Sequence, residues 1–220
     1  MKKSKMMIWI ALGVFVFASC AGPSEKRAEI LERLEAGELP EEVNVFNVDV
    51  NASSVAWEGR QVRGNHDGTI GVHGGELYVY EGELLGGKVV MDMQQIVVLD
   101  IEDPNMNARL QGHLESDDFF SVATHPTAEF EITSVELLDQ ATENATHRVY
   151  GNMTIKGITH GIGIDALIRV EDNFINAYAD FDLDRSMWDV RFRSARFFEN
   201  LGDNLIYDDF NLKLNIVASN

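Results

Sequence analysis

The chain has 220 residues, with 18 Lys and Arg against 36 Asp and Glu and a formal net charge of −18. Such an acidic surface repels phosphate backbones, so nucleic acid is not expected as a partner, and a polybasic membrane patch is not expected either. Cys20 is the only cysteine. Without an internal disulfide, a domain of this length must be stabilised by burial of apolar side chains.

The N-terminal 20 residues have the layout of a secretory signal. Three lysines precede an apolar stretch over residues 6–18, which is too short to span a bilayer. Cys20 closes this stretch in the run FASC, which resembles a bacterial lipobox. We therefore expect residues 1–20 to be a lipoprotein signal peptide and Cys20 to carry the acyl anchor, with an ordinary signal peptide and a free thiol as the alternative. The mature chain would have 15 basic and 36 acidic residues, a net charge of −21.

Residues 21–42 are predicted to form a charged tether. Ile30, Leu31 and Leu34 share one stripe at helical spacing, so we expect a short helix that ends near Gly37.

The apolar period changes to two after residue 43, which is typical of strands with one buried face. About eight such strands, separated by turn signals such as Gly86-Gly87, follow one another up to residue 220. Their short connections favour an all-β domain over residues 43–220, an antiparallel meander closed into a barrel. A sandwich of two sheets stays open as an alternative.

Two segments interrupt this rhythm. Residues 104–126 are predicted to form a short helical cap across one end of the barrel, with Asn105 or Ser116 as the residue that begins the helix. Residues 185–203 form a long irregular stretch that contains Trp188, and long connections of this kind commonly cover a site.

The cap contains an adjacent aromatic pair, Phe119 and Phe120. Side chains of neighbouring helical residues point about 100° apart, so we expect one ring to plug the core and the other to line a cavity or its mouth. Asp117 and Asp118 are expected in water near the start of the helical turn, where negative charge is favourable.

Motifs of enzymatic chemistry are missing from the sequence, which has no GxSxG, Walker, HExxH or CxxC pattern. His66 and His73 lie seven residues apart on a predicted strand and would point to opposite faces, so no metal site is expected. No cofactor is expected, and the protein is predicted not to be an enzyme.

The predicted interior is rich in adaptable side chains. Met91, Met93 and Met153 fall on inward faces beside aromatic residues, and methionine repacks easily around a guest. An eight-stranded barrel is just wide enough to be filled by side chains or to hold one small ligand. At this point a filled core and a cavity are equal alternatives.

Five segments carry a resemblance to a known family: VAWEGRQVRGNHDGTIGVHGGELYV, LLGGKVVMDMQQI, HLESDDFFSVATHPTAEFEITSV, YGNMTIKGITHGI and FDLDRSMWDVRF. The third contains the ungapped signature L-x-S-x-x-F-F followed by H-P-x-A-x-F. In order and spacing, from about residue 48 to residue 217, the chain resembles the YceI-like family. The resemblance implies an extended eight-stranded antiparallel barrel, lipocalin-like in shape, that holds a polyisoprenoid chain, and it favours the cavity.

The expected partner is therefore a polyisoprenoid or similar long-chain lipid, bound without catalysis in a bacterial envelope protein of the periplasm or outer membrane. A homodimer is left open. The candidate ligand-binding residues are Trp57, Met91, Met93, Phe119, Phe120, Phe130, Met153, Ile155, Phe181 and Trp188. Arginines in two clusters, with Arg63 and Arg185 among them, and His66 are candidates for a polar head group, although the arginines could equally pair with the abundant acids.

Two other functions stay open. One is a structural or stress-protective envelope module with a solid core. The other is a hydrolase acting on a lipid-linked substrate, which would require a polar residue inside the cavity, with His66 as the candidate.

Overall fold

The computed structural model describes residues 26–220. The predicted signal peptide and Cys20 lie outside the described residues. Within the described part, no helix has the length and hydropathy needed to cross a membrane. The elements are β1 (Glu29–Leu31), β2 (Asn44–Val48), β3 (Ser54–Gln61), β4 (Gly64–Tyr80), β5 (Glu83–Val98), α1 (Pro104–Glu115), β6 (Thr127–Leu137), β7 (His147–Ile155), β8 (Ile158–Val170), β9 (Phe174–Asp184) and β10 (Ile206–Ser219), with 3-10 turns at Arg185–Trp188 and Gly202–Asn204.

Strands β3 to β10 close into an antiparallel barrel. Each pairs with the next along the chain, and β10 returns to pair with β3. Strand β2 pairs with β4 and β10 next to the start of β3. Strands β2 and β3 therefore occupy successive parts of the same place in the strand order, between β4 and β10. The predicted all-β, eight-stranded antiparallel barrel with a helical cap is confirmed.

Helix α1 lies at one end of the barrel, which we call the helix end. It follows the C-terminal end of β5, and the antiparallel registers bring the ends of β3 and β9 and the start of β10 to the same side. The opposite end is the far end.

The start of the helix differs from the prediction of Asn105 or Ser116. Asp103 is the N-cap, because its carboxylate accepts hydrogen bonds from the backbone N–H groups of Asn105 and Met106, and Pro104 occupies the first helical position. Ser116 follows the helix instead and ends it, with its N–H bonded to the carbonyl oxygen of His113.

The positions expected for the acidic pair and the aromatic pair also need correction. Asp117 and Asp118 follow the C-terminal end of α1 and not a helix start, and Asp118 lies 3.0 Å from the imidazole of His113. Phe119 and Phe120 lie in the turn after the helix, with ring centroids 6.3 Å apart.

The predicted helix in residues 21–42 is wrong where the structure describes it. Glu29–Leu31 form strand β1, paired antiparallel with residues 161–163 of β8. Among the described residues, β8 pairs with β9 only over Leu167–Val170 and Ile175–Tyr178. Nearer the helix end, the facing edges of β8 and β9 therefore need other hydrogen-bond partners. The N-terminal segment supplies them, and the backbone hydrogen bonds outweigh a three-residue helical pattern.

The chain then crosses the outside of the barrel. The backbone N–H and carbonyl of Leu34 bond to the side chain of Asn152 on β7, and the N–H of Gly37 reaches the carbonyl of Thr133 on β6. Residues 26–42 are therefore docked on the barrel wall over much of their length.

Candidate binding cavity

An apolar cavity of about 50 Å³ occupies the far half of the barrel and is bordered almost entirely by carbon atoms. Met91 on β5, Phe130 on β6 and Met153 on β7 lie along one side, with Phe130 and Met153 as direct cross-strand partners. These three residues lie on the inward faces that the alternation predicts.

The space arises from small side chains on neighbouring strands. Ala166 on β8 and Ala177 and Ala179 on β9 line the cavity, and the β10 partners of the latter two are Ile216 and Leu214. A wall of larger residues at these positions would fill the interior, since barrels of eight strands have little space to spare. The cavity therefore depends on three alanines.

A second apolar cavity, of about 70 Å³, lies near the helix end. Trp57, Phe119 and Phe120 line it, and Phe119 is 8% exposed while Phe120 is half-buried. The Trp57 ring covers Gly68, where a side-chain carbon would come within 2.8 Å of the indole. Its Nε1–H is buried and has no hydrogen-bond partner within residues 26–220.

Large buried side chains lie between the two cavities along their strands. Met93 follows Met91 on the inward face of β5, and the cross-strand partners Phe181 and Leu212 follow Ala179 and Leu214 on β9 and β10 in the direction of the helix end. We call Met93, Phe181 and Leu212 the partition. A guest longer than either cavity would have to displace it.

Ile155 and Trp188, the remaining candidates for the lining, are buried but border neither cavity. Trp188 is fully buried, and its Nε1–H donates to the carbonyl oxygen of Met153 at 3.1 Å. The indole also meets His160 edge-on at 5.4 Å. Trp188 thus closes the interior on the side of the 3-10 turn that follows β9.

Arg185, a head-group candidate, borders the second cavity and is also held by backbone contacts. It is 4% exposed, and its guanidinium donates to the carbonyl oxygens of Val190, Ile206 and Tyr207. Burial lowers its pKa, while the nearby carboxylates of Asp208 and Asp184 oppose that shift. Its contacts join the 3-10 turn to β10.

The other head-group candidates also have acidic partners. Arg63 pairs with Asp203 at 2.9 Å on the surface. His66 lies two residues before Gly68 on β4 and so faces the same, inward side of the sheet. It lies at the barrel end, outside both cavities, and its Nδ1 is 2.8 Å from Asp100. Desolvation acts to raise the pKa of Asp100, but hydrogen bonds from His66 and the Asp67 N–H outweigh it and hold that pKa below its ordinary value.

A buried polar cluster at the helix end was not predicted. Asp182 and Asp184 alternate with inward residues on β9, so they point outward, yet they are 3% and 4% exposed. Arg27 and Arg196 pair with Asp184, and Arg60 pairs with Asp182. The alternating acids in the sequence DFDLD are the signal that could have identified this cluster.

Residues 26–220 contain no cluster of three or more His, Cys, Asp or Glu suited to a metal ion.

A closed antiparallel barrel with an apolar interior and a helix across one end defines the class of lipocalin-like barrels. Among curated proteins, no sequence matches the chain. The chain belongs to the family of the YceI-like domain, whose sequence model matches residues 46–218.

Solved structures show the same fold at low sequence identity. Burkholderia cenocepacia BcnA is 17% identical, with a TM-score of 0.59 over 78% of this chain and 99% of its own. A polyisoprenoid binding domain from Saccharophagus degradans, implicated in plant cell wall breakdown, is 10% identical, with a TM-score of 0.57 over 81% of this chain and 99% of its own. At these identities the likeness establishes the fold alone.

Proposed function

We propose that this protein binds an amphiphilic long-chain lipid of the polyisoprenoid type inside its barrel, without catalysing a reaction. The observation that carries the proposal is the interior cavity bordered almost entirely by carbon atoms, with a second apolar cavity in line with it. The polyisoprenoid binding domain from Saccharophagus degradans, which has the same fold, supports this class of ligand. Membership of the YceI-like family agrees with it.

Affinity would come from apolar surface removed from water, at about 25 cal/mol per Å². The cavities hold about 50 and about 70 Å³, so a long chain needs both and the partition has to move. Met93 is the adaptable member of the partition, because an unbranched thioether changes rotamer easily. The polar end of the ligand would stay outside the interior, where burial without a partner is costly.

The small cavity volumes also favour a second candidate, a structural envelope module whose core holds no ligand. The hydrolase alternative loses its candidate residue, because His66 lies outside both cavities and is bonded to Asp100. The two functions differ in one observable result: only a lipid-binding protein retains a lipid when it is purified.

Organic extraction of residues 21–220, exported behind an ordinary cleavable signal peptide and purified from the cell envelope without detergent, followed by mass spectrometry, tests the proposal. We expect a long-chain lipid in stoichiometric amount. Protein that is free of lipid after preparation from a membrane-rich lysate contradicts the proposal and favours the structural module.

A cavity-filling variant sharpens the test. Ala166→Leu places three carbons into the far cavity, so we expect a reduced amount of bound lipid with stability within about 1 kcal/mol of wild type. Ala56→Leu is the matched control, because Ala56 lies between Val55 and Trp57 on β3 and points outward. A solid core predicts instead a loss of about 1–3 kcal/mol for Ala166→Leu and no lipid in either variant.

The proposed location is the bacterial cell envelope, with the protein anchored through acylated Cys20. The predicted lipobox supports this, and the docked residues 26–42 leave only a short link between barrel and anchor. Mass spectrometry of the N-terminal peptide should show an acylated cysteine, and replacement of residues 1–20 by an ordinary cleavable signal peptide should release the protein from membranes. A protein that stays on membranes after this replacement, or an unmodified Cys20 in the wild-type peptide, contradicts the anchor.

A further inference from the structure

The barrel wall is incomplete between β8 and β9 near the helix end, and the N-terminal segment, residues 26–31, fills the gap. On one side β1 pairs with β8, with Glu29 opposite Gly163. On the other side the Ala28 N–H donates to the carbonyl of Asp182 at 2.9 Å, and the Asp182 N–H donates to the carbonyl of Lys26 at 3.0 Å. This segment lies outside the residues matched by the family model, 46–218.

Mostly polar contacts hold the N-terminal segment in place. Lys26 pairs with Asp180 at 2.6 Å, and Arg27 pairs with Asp184 at 3.1 Å and with Asp209 at 2.8 Å. The apolar surface that the segment buries is small, because Ala28 is buried but Ile30 is only partly buried. Separating this segment from the wall therefore exposes much less apolar surface than separating any of the long strands.

A polar crevice of about 260 Å³ opens beside the segment. Arg27 and Arg148 line it together with the carboxylates of Asp165 and Asp180. Ile164 and Tyr178 border this crevice and also border the far apolar cavity. The crevice and the cavity are therefore separated by a single layer of side chains.

The ends of the barrel offer less room for a chain to pass. Trp188 and Arg185 are 0% and 4% exposed at the helix end, and Arg185 is bonded to three carbonyl oxygens. At the far end β2 adds the buried side chains of Phe46 and Val48. Passage there requires a bonded network or buried aromatic residues to move.

We propose that the lipid enters and leaves the barrel sideways, through the crevice between β8 and β9, when the N-terminal segment detaches. The polar end of the ligand stays in the crevice beside Arg148, which is ion-paired to Asp165 and, until the segment detaches, to Glu29. This inference rests on the proposed function and adds the route to the cavity and the place of the head group.

The position of the crevice fits delivery from a membrane. Five residues lie between Cys20 and Lys26, so six Cα-to-Cα steps separate the two, and a fully extended chain of that length reaches at most about 21 Å. With Cys20 acylated as proposed, the crevice lies within that distance of the bilayer surface. The segment that covers the crevice is the one next to the anchor.

A reversible crosslink tests the route. In Glu29→Cys/Gly163→Cys, directly opposed residues have Cα atoms about 4.5–5.5 Å apart, which suits a disulfide. A Cβ at Gly163 would lie 3.0 Å from the side-chain ends of Arg148 and Tyr150, which can shift. The bridge fastens the segment to β8 on the outer face, and the same sample after reduction is its own control.

Uptake of all-trans-retinol, a fluorescent isoprenoid alcohol, is measured on the mature protein from vesicles of phosphatidylethanolamine and phosphatidylglycerol. We expect the oxidised variant to take up retinol about tenfold more slowly than the reduced one, with the same amount bound at equilibrium. Equal rates overturn the lateral route and leave lipid binding intact. Absence of equilibrium uptake by wild type overturns both the proposed function and the route.

Arg27→Gln tests the same route if the double variant does not fold. Loss of two ion pairs should let the segment detach more often and speed uptake by about tenfold. Arg63→Gln is the control, because it removes a surface ion pair to Asp203 remote from the crevice and should not change the rate. Uptake by Arg27→Gln at the wild-type rate overturns the proposal.

Discussion

The two edges of β9 differ in how they are paired. Along one edge β9 pairs with β10 over its whole length, from Phe174 to Asp184. Along the other it pairs with β8 only over Ile175–Tyr178, and the N-terminal segment covers the remainder. The strand order is therefore closed, but β9 has fewer paired residues on its β8 side than on its β10 side.

We call the β9–β10 edge the continuous seam, and the β8–β9 edge that the N-terminal segment covers the covered seam. The β9–β10 seam places Leu183 and Phe181 in the core, whereas the other seam carries Ala28 and ion pairs. Because core burial contributes most of the stability and partly exposed ion pairs contribute little, we expect the two seams to open at different free energies.

The largest expected effect is a core truncation on the continuous seam. Leu183 is fully buried opposite Phe210, so Leu183→Ala should lower the free energy of unfolding by about 2–5 kcal/mol. Ile30→Ala, on the covered seam, should cost about 1 kcal/mol because Ile30 is only partly buried. Urea denaturation measures both, and equal costs would remove the distinction between the seams.

Hydrogen exchange in the native protein compares the seams directly. The amides of Ala28 and Asp182, which bond across the covered seam, should exchange about a hundredfold faster than the β9 amides bonded to β10. Amides bonded within β9–β10 serve as the internal reference. Similar protection on both sides would mean that β9 and the N-terminal segment open as one unit.

The strands and the barrel were predictable because long alternating segments have one consistent burial pattern. The N-terminal strand was not, because three apolar residues fit a helical stripe as well as a short strand. Whether these residues form a helix or a strand depends on where β8 and β9 stop pairing, about 130 residues further along the chain. Asp103 was overlooked as N-cap although its position before Pro104 is a helix-start signal.

The cavity was only partly predictable for a related reason. Met91, Phe130 and Met153 follow from alternation, but the empty space is due to Ala166, Ala177 and Ala179, and small side chains attract little notice in a sequence. The partners of Arg185 are backbone carbonyls, which have no sequence signature. The role of any of these residues in binding stays a prediction.

The ion pairs of the covered seam should depend on pH. Burial acts to raise the pKa of Asp180, but hydrogen bonds from Lys26 and Asn211 outweigh it and lower that pKa. A lowered folded pKa stabilises the protein above the unfolded value of about 3.9, and this contribution is lost as the pH falls through the folded pKa. Asp180→Asn should therefore cost less than about 1 kcal/mol at neutral pH and nothing in acid.

Denaturation at neutral and acidic pH measures this difference. Asp203→Asn is the matched control, because its carboxylate pairs with Arg63 on the exposed surface. A cost for Asp180→Asn that persists in acid would assign the effect to packing and not to charge.

Asp209 binds the same N-terminal segment through Arg27 but should show the opposite dependence. Burial raises its pKa, Arg27 lowers it, and the carboxylates of Asp184 and Asp182 raise it further, with a net upward shift. A raised folded pKa gives stability that is complete below the unfolded value of about 3.9 and is lost as the pH rises through the folded pKa. Asp209→Asn should therefore gain stability relative to wild type with rising pH.

The comparison of the two variants tests how charge is arranged on the covered seam. Both lose an ion pair to the N-terminal segment, so a simple count of ion pairs predicts that each falls behind wild type as the pH rises from acid to neutral. If Asp209→Asn follows Asp180→Asn in this way, repulsion among Asp182, Asp184 and Asp209 does not weaken the seam. Opposite slopes mean that burial and repulsion from Asp182 and Asp184 make ionised Asp209 costly at neutral pH, although its ion pair to Arg27 still fastens the segment.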